Sequence, residues 1–209
     1  SGIIEVVAEM YLAGVVTQDG VIDGGLAAMN ERIQPDGRTF SYEIMPATET
    51  RGAVKIMQND IRAIQLAKAA LYAGIKLLMQ YQQVDKVDRI RFAGAFGSHI
   101  DVKYAMVLGL IPDCALDEVS SAGNAAGTGA RIALLNESSR AEIEQVVRKI
   151  EKIETAVEPD FQQLFIDAMA FPNKVDAFPE LEKVVTLPPI KEAKAETEGG
   201  EKKRRRRRS

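Results

Sequence analysis

Few residues in this chain have the type and spacing to do chemistry, and the most suggestive of them are small. The β-type run Arg89-Ile90-Arg91-Phe92 stops in Ala93-Gly94-Ala95-Phe96-Gly97-Ser98-His99, and an amphipathic segment begins at Asp101. This is the pattern of a strand feeding a helix through a tight turn. Without a Cβ, Gly94 and Gly97 let backbone approach something flat or anionic. The Ser98 hydroxyl can hydrogen-bond a ribose or purine, with Ala95 and Phe96 completing the turn. A second small-residue cluster, Ala122-Gly123-Asn124-Ala125-Ala126-Gly127-Thr128-Gly129-Ala130, follows about one supersecondary unit later. Its main role is close helix packing, with Asn124 the residue placed to touch a ligand. Two such clusters in one α/β pattern point to a nucleotide cleft, where one alone would mark only a turn. Asp101, at the start of the following helix, opposes a phosphate there, so the turn suits the nucleoside end of a nucleotide.

Other candidates have simpler readings. His99 has no carboxylate at a diagnostic spacing. Asn59 and Asp60 read as helix caps. Arg62 and Lys68 lie on a long helix, where a solvated face is the default and an adenine or phosphate contact the alternative. Cys114 reads as a loop or core thiol.

These residues need elements to hold them. A helix is expected over residues 2–14, loop over 17–38, strands over 39–45 and 53–57, and a long helix over 59–80. The long helix has an apolar stripe of Ile61, Ile64, Leu71, Ile75 and Leu78, widened by small residues. The remaining expectations are a buried-type strand at 89–92, a helix over 101–108, a short strand at 116–119 and a small-residue helix over 124–135. A charged helix capped by Ser138 or Ser139 follows, then an edge strand at 153–157 and a helix over 160–169. Strands alternating with helices indicate an α/β domain. From Asn173 periodicity is lost, and 173–209 reads as a disordered Pro-rich and charged tail.

Composition narrows the function classes. Of 27 basic and 30 acidic residues, nine and four lie from Lys191 onward, which leaves the preceding 190 residues at −8. An acidic body with a basic tail is not the profile of a nucleic-acid-binding domain. The single cysteine cannot form an internal disulfide, in keeping with a reducing cytoplasm, nor ligate an iron–sulfur cluster, which takes about four thiolates. One histidine and no Cys/His spacing argue against zinc. No apolar run approaches the roughly 20 residues of a membrane span. The first residue is Ser1, so the chain reads as part of a longer or processed protein.

Four motifs occur together and in order: Gln58 to Ala70, Ala93 to Asp101, Leu108-Gly109-Leu110-Ile111-Pro112, and Gly123 to Ala130. Over residues 1–172 the chain resembles the C-terminal part of the reductive activators of corrinoid-dependent methyl-transfer proteins (the RACo and RamA type). Ser1-Gly2-Ile3-Ile4-Glu5 resembles the continuation of that family's Cys-Gly-Ser-Gly-Ile-Ile segment. The resemblance implies a lobe of the actin-like ATPase (ribonuclease H-like) superfamily, with a mixed sheet and flanking helices. It further implies ATP and Mg²⁺ held between two lobes, and a [2Fe-2S] domain elsewhere in the full-length protein. The implied activity is ATP-coupled one-electron reduction of a Co(II) corrinoid to Co(I). The implied partners are a corrinoid protein and the remaining domains of its own chain, with a homodimer left open.

Within that resemblance Gly94, Ala95, Phe96, Gly97 and Ser98 match the adenosine-facing turn, Ala95 standing where the family has a second glycine. No Asp-x-Gly-Thr phosphate hairpin and no cluster cysteines occur. The chain is therefore expected to hold part of an ATP site and to be inactive alone. The alternatives are a lobe of another actin-like ATPase, such as a 2-hydroxyacyl-CoA dehydratase activator or a sugar kinase, and a non-enzymatic interaction module with a degenerate cleft.

Overall fold

The computed structural model describes residues 2–94, 97 and 99–190. Helix α1 (Gly2–Leu12) buries Ile4, Val7, Ala8, Met10 and Tyr11, an i, i+3, i+4, i+7 stripe. Gly14, at φ +71°, lets the chain turn back on the helix. A three-stranded antiparallel sheet follows, in the order β1 (Ile33–Asp36), β2 (Thr39–Met45), β3 (Val54–Met57). Strand β1 falls inside the segment expected to be loop. Its sequence, Ile-Gln-Pro-Asp, carries no strand signal, and Pro35 is tolerated because β1 pairs on one side only.

Helix α2 (Gln58–Gln82) runs for 25 residues. The Asp60 carboxylate accepts from the Met57 backbone N–H at 2.8 Å, so Asp60 does cap, from the third helical position. The buried face differs from the expected stripe. Ile61 and Ile64 face the core, but Leu71 and Leu78 are exposed, and Gln65, Lys68, Ala69, Tyr72, Ala73 and Leu77 take the inner positions. Apolar residues occupy both sides of this helix, so periodicity alone could not choose between them.

Beyond α2, strand β4 (Ile90–Ala93), helix α3 (Val102–Val107), strand β5 (Val119–Gly123) and helix α4 (Ala125–Leu135) form a parallel β-α-β-α run. Strand β5 begins where the expected strand ended. Leu116–Glu118 is a 3-10 turn, and the pairing runs on into Ala122 and Gly123. Helix α5 (Glu137–Val147) is capped by Asn136, whose side-chain oxygen accepts from Ser138 and Ser139, rather than by either serine. Residues expected as an edge strand hold a 3-10 turn at Thr155–Val157. Helix α6 (Phe161–Asp167) packs on α2.

The expectation of an unstructured chain from Asn173 fails for 173–190. This stretch carries helix α7 (Pro179–Glu182) and buries Phe178 and Leu181. It is tied down by polar contacts that local sequence could not reveal. Tyr72 donates to Asp176 at 2.7 Å, and Asp113 accepts from the backbone N–H groups of Glu180 and Leu181 at 2.8 and 3.0 Å. The tail expected over 191–209 lies outside the described residues.

One core joins these parts, with α1, α2, α3 and the 168–181 segment around it. Its least expected member is Lys68, 1% exposed. Its ammonium donates to the carbonyls of Ala170 and of Pro172 (2.8 Å), and stands 5.3 Å from the centre of the Phe171 ring. Burial lowers its pKa to about 7.

Candidate functional site at the ends of β4 and β5

The two small-residue clusters meet. Strands β4 and β5 run parallel, and at their carboxyl ends the Gly94 N–H donates to the Gly123 carbonyl at 2.8 Å. Ligands of α/β folds bind beyond the carboxyl ends of parallel strands, which is where this junction lies. Gly94 has φ +100° and Gly123 φ +60°, and a Cβ built on either meets nothing within 4 Å. Both glycines are thus required by backbone conformation, and among the described residues nothing crowds a Cβ at either. Of the described residues at the junction, Ala93, Ala122 and Asn124 are exposed and Gly94 is half-buried.

Other members of the expected site have structural work. Gly97 is buried, and a Cβ there would lie 2.5 Å from the Phe92 Cβ, so its bareness is explained by packing against the strand it leaves. Asn124 caps α4, its Oδ1 accepting from Gly127 N–H at 2.9 Å. Ala95, Phe96 and Ser98 lie outside the described residues. His99 is exposed, as is Arg62. Lys68 is neither solvated nor aimed at a cleft.

The connection that starts at Gly94 enters α3 at Asp101, which caps that helix by accepting from Tyr104 N–H at 3.1 Å. Tyr104, in the first turn, lines a groove of about 380 Å³. Val6, Met10, Val15 and Ile44 give it apolar walls, Tyr42 and Tyr104 aromatic ones, and Glu5, Glu9 and Arg32 a polar rim. Arg32 Nη1 donates to the Ile44 carbonyl at 2.9 Å, holding the guanidinium beside β2. The Tyr104 hydroxyl donates to Glu9, and that carboxylate raises the phenol pKa. An apolar slot of this size with a few convergent polar groups suits a flat heteroaromatic ring bearing amino hydrogens. Sequence reading missed it because its residues come from α1, Arg32, β2 and α3, far apart in the chain.

A second cavity, of about 490 Å³, lies between α2, residues 85–88, residues 112–115 and residues 176–180. Two of its five carboxylates hold the chain: Asp176 through Tyr72 and Lys76, Asp113 through the α7 backbone. Burial, then the negative charge of Glu118 and Asp113, raises the Cys114 thiol pKa and keeps it protonated and unreactive. Among the described residues no three His, Cys, Asp or Glu side chains are grouped to hold a metal ion, and no helix is long and apolar enough to cross a membrane.

A family model described as the C-terminal domain of RACo, the ASKHA domain, matches residues 1–182. The chain is 34% identical over 184 residues to the corrinoid activation enzyme RamQ of Eubacterium limosum, covering 84% of this chain and 31% of that protein. Among solved structures, it superposes with a TM-score of 0.70 on a reductive activator for corrinoid, iron-sulfur protein. That match has 30% identity and covers 82% of this chain and 28% of the other. The chain thus spans about a third of the length of these relatives. The expected actin-like α/β architecture holds.

Proposed function

The chain belongs to the family of RACo C-terminal, ASKHA-type domains, and on that footing we propose that it is the part of a corrinoid reductive activator that holds the nucleoside end of ATP. The observation that carries this reading is the junction of Gly94 with Gly123 at the carboxyl ends of β4 and β5, from which the chain runs into α3 and so to Tyr104 of the groove. The base would lie in the groove, with Glu9 or Glu5 accepting from its amino group and the guanidinium of Arg32 beside the ring. The backbone at Gly94 and Gly123 and the amide of Asn124 would face the ribose.

The residues present fit a nucleoside and not the remainder of the implied cofactor set. Phosphates and Mg²⁺ need acidic hairpins that this sequence does not contain, and one cysteine cannot hold a [2Fe-2S] group. Those groups belong, on this reading, to other parts of a full-length activator. There the cluster would supply the single electron that takes a corrinoid from Co(II) to Co(I). This chain's contribution is to bind the nucleotide and, as lobes close on it, to change the surface that meets the corrinoid protein. The setting is cytoplasmic on the same reading.

Calorimetric titration of ATP into the intact activator tests it. Val6→Trp fills the groove, and Gly94→Val puts a β-branched residue where φ is +100°, which shifts the backbone of the bend. Each should weaken ATP binding at least tenfold while leaving affinity for the corrinoid protein in the absence of nucleotide unchanged. Unaltered ATP affinity in both variants would favour an interaction module with a degenerate cleft.

A further inference from the structure

The cavity between α2 and α7 takes no part in the nucleotide reading. Five carboxylates line it, those of Asp85, Asp88, Asp113, Asp176 and Glu180, against two ammonium groups, Lys76 and Lys86. The surplus negative charge is felt in the wall itself. After burial, it is the charges of Glu118, Asp113, Asp88 and Glu180 that hold the Cys114 thiol pKa up. The carboxylates of Asp85, Asp88 and Glu180 are not committed to distant parts of the chain among the described residues. Asp85 and Asp88 are exposed, and Asp88 stands 3.8 Å from Lys86 with both side chains in solvent. Glu180 pairs with the nearby Lys183. Met79, Val87, Pro112 and Pro179 add apolar wall. The occupant that suits such a cavity carries several cations on apolar stems, which is the chemistry of arginine and lysine side chains.

The chain itself contains that segment. Residues 202–208 read Lys-Lys-Arg-Arg-Arg-Arg-Arg, seven consecutive cations outside the described residues. A block of like charge of this length acts as an interaction segment. The place where the described chain ends selects the partner. Ile190 lines a neighbouring cavity of about 350 Å³, and Asp176 and Ala177 line both cavities. From Ile190 the eleven residues 191–201 can span up to about 40 Å. That brings the basic run onto a cavity that begins at the same two residues. Nucleic acid and anionic lipid would have to approach past the acidic body that precedes Lys191, which repels both.

We propose that residues 202–208 dock in the acidic cavity between α2 and α7, a latch within one chain that pins the 176–180 segment to α2. The cations pair with Asp85, Asp88 and Glu180 while their stems lie on the apolar wall. Each exposed pair is weak alone. The tether raises the local concentration of the run to about the millimolar range, so weak pairs suffice. Salt screens them and opens the latch. The proposal invokes neither nucleotide nor corrinoid protein, so it stands or falls apart from the nucleotide reading.

Amide chemical shifts of the 209-residue chain test it, in about 0.05 M and about 0.5 M salt. The comparison chain has serine at all seven positions 202–208. At low salt the two chains should differ at residues 85–88, 112–115 and 176–180. That difference should vanish at high salt and should not depend on protein concentration. Asp85→Lys combined with Asp88→Lys should shrink it about fivefold or more at 112–115 and 176–180. The charge-matched pair Glu137→Lys and Glu142→Lys, on α5, should leave it intact. Identical body shifts in the two chains overturn the proposal, and binding of an oligonucleotide or of phosphatidylserine vesicles by the parent alone would then give the run an external partner. A difference that grows with protein concentration also overturns it, since the run would then sit on a second copy. So does an equal loss in the α5 pair, which would reduce the attraction to net charge.

Discussion

Lys68→Met is the sharpest probe of how this fold is held together. The Lys68 ammonium is buried against the Phe171 ring and two carbonyls, with its pKa lowered to about 7 by burial. In the unfolded chain it titrates near 10.4. Between those values the unfolded state binds one more proton than the folded state, so stability rises with pH across that window. The slope has a ceiling of about 1.4 kcal/mol per pH unit. The carbonyls and the ring favour the cation and offset part of the burial. We therefore expect a gain of about 2 kcal/mol from pH 7 to pH 9. Below pH 7 the lysine is charged in both states and adds no slope. Above pH 10 the trend reverses, because the Tyr11 phenol, pushed up to about 12 by burial, stays protonated only in the folded chain. Urea unfolding at pH 6, 7, 8 and 9 should show the rise in the parent and lose it in Lys68→Met. The variant also leaves each carbonyl without a donor, at about 1–3 kcal/mol apiece, so it should be weaker than the parent at pH 9, and the gap should narrow towards pH 6, where the parent bears the cost of the buried cation. Parallel pH profiles would refute the assignment of the slope to Lys68.

Three further outcomes follow from the geometry. Gly109→Ala should cost about 3 kcal/mol or more in thermal unfolding, because Gly109 has φ +69° and a Cβ there would lie 1.9 Å from the Pro172 carbonyl oxygen. Asp113→Ala removes both acceptors at the start of α7; a loss of about 1–2 kcal/mol and faster proteolysis after residue 176 are expected, and an unchanged digestion pattern would count against the anchoring role. Asn124→Ala should lower stability by about 1 kcal/mol through the lost α4 cap, and any ATP affinity it loses beyond that of a control cap variant such as Asn136→Ala would measure direct contact.

The sequence by itself determined the order and kind of most elements. Strand β2 and helices α2, α3 and α4 stand where their apolar spacing, caps and terminating glycines put them, because those signals are local. It also determined the family, through four ordered motifs, three of which carry a glycine held at positive φ: Gly94, Gly109 and Gly123. Tertiary structure alone decided which side of α2 faces inward. Both sides are apolar, and the choice fell to Gln65 and Lys68, whose polar ends reach carbonyls of Met169, Ala170 and Pro172 a hundred residues away. It decided that 173–190 belongs to the body, since Asp113, Tyr72 and Lys76 grip a segment with no periodicity of its own. It brought Gly94 to Gly123 and built the groove between α1, β2 and α3, for a pairing across strands and a cavity between helices exist only once distant parts of the chain have been laid side by side.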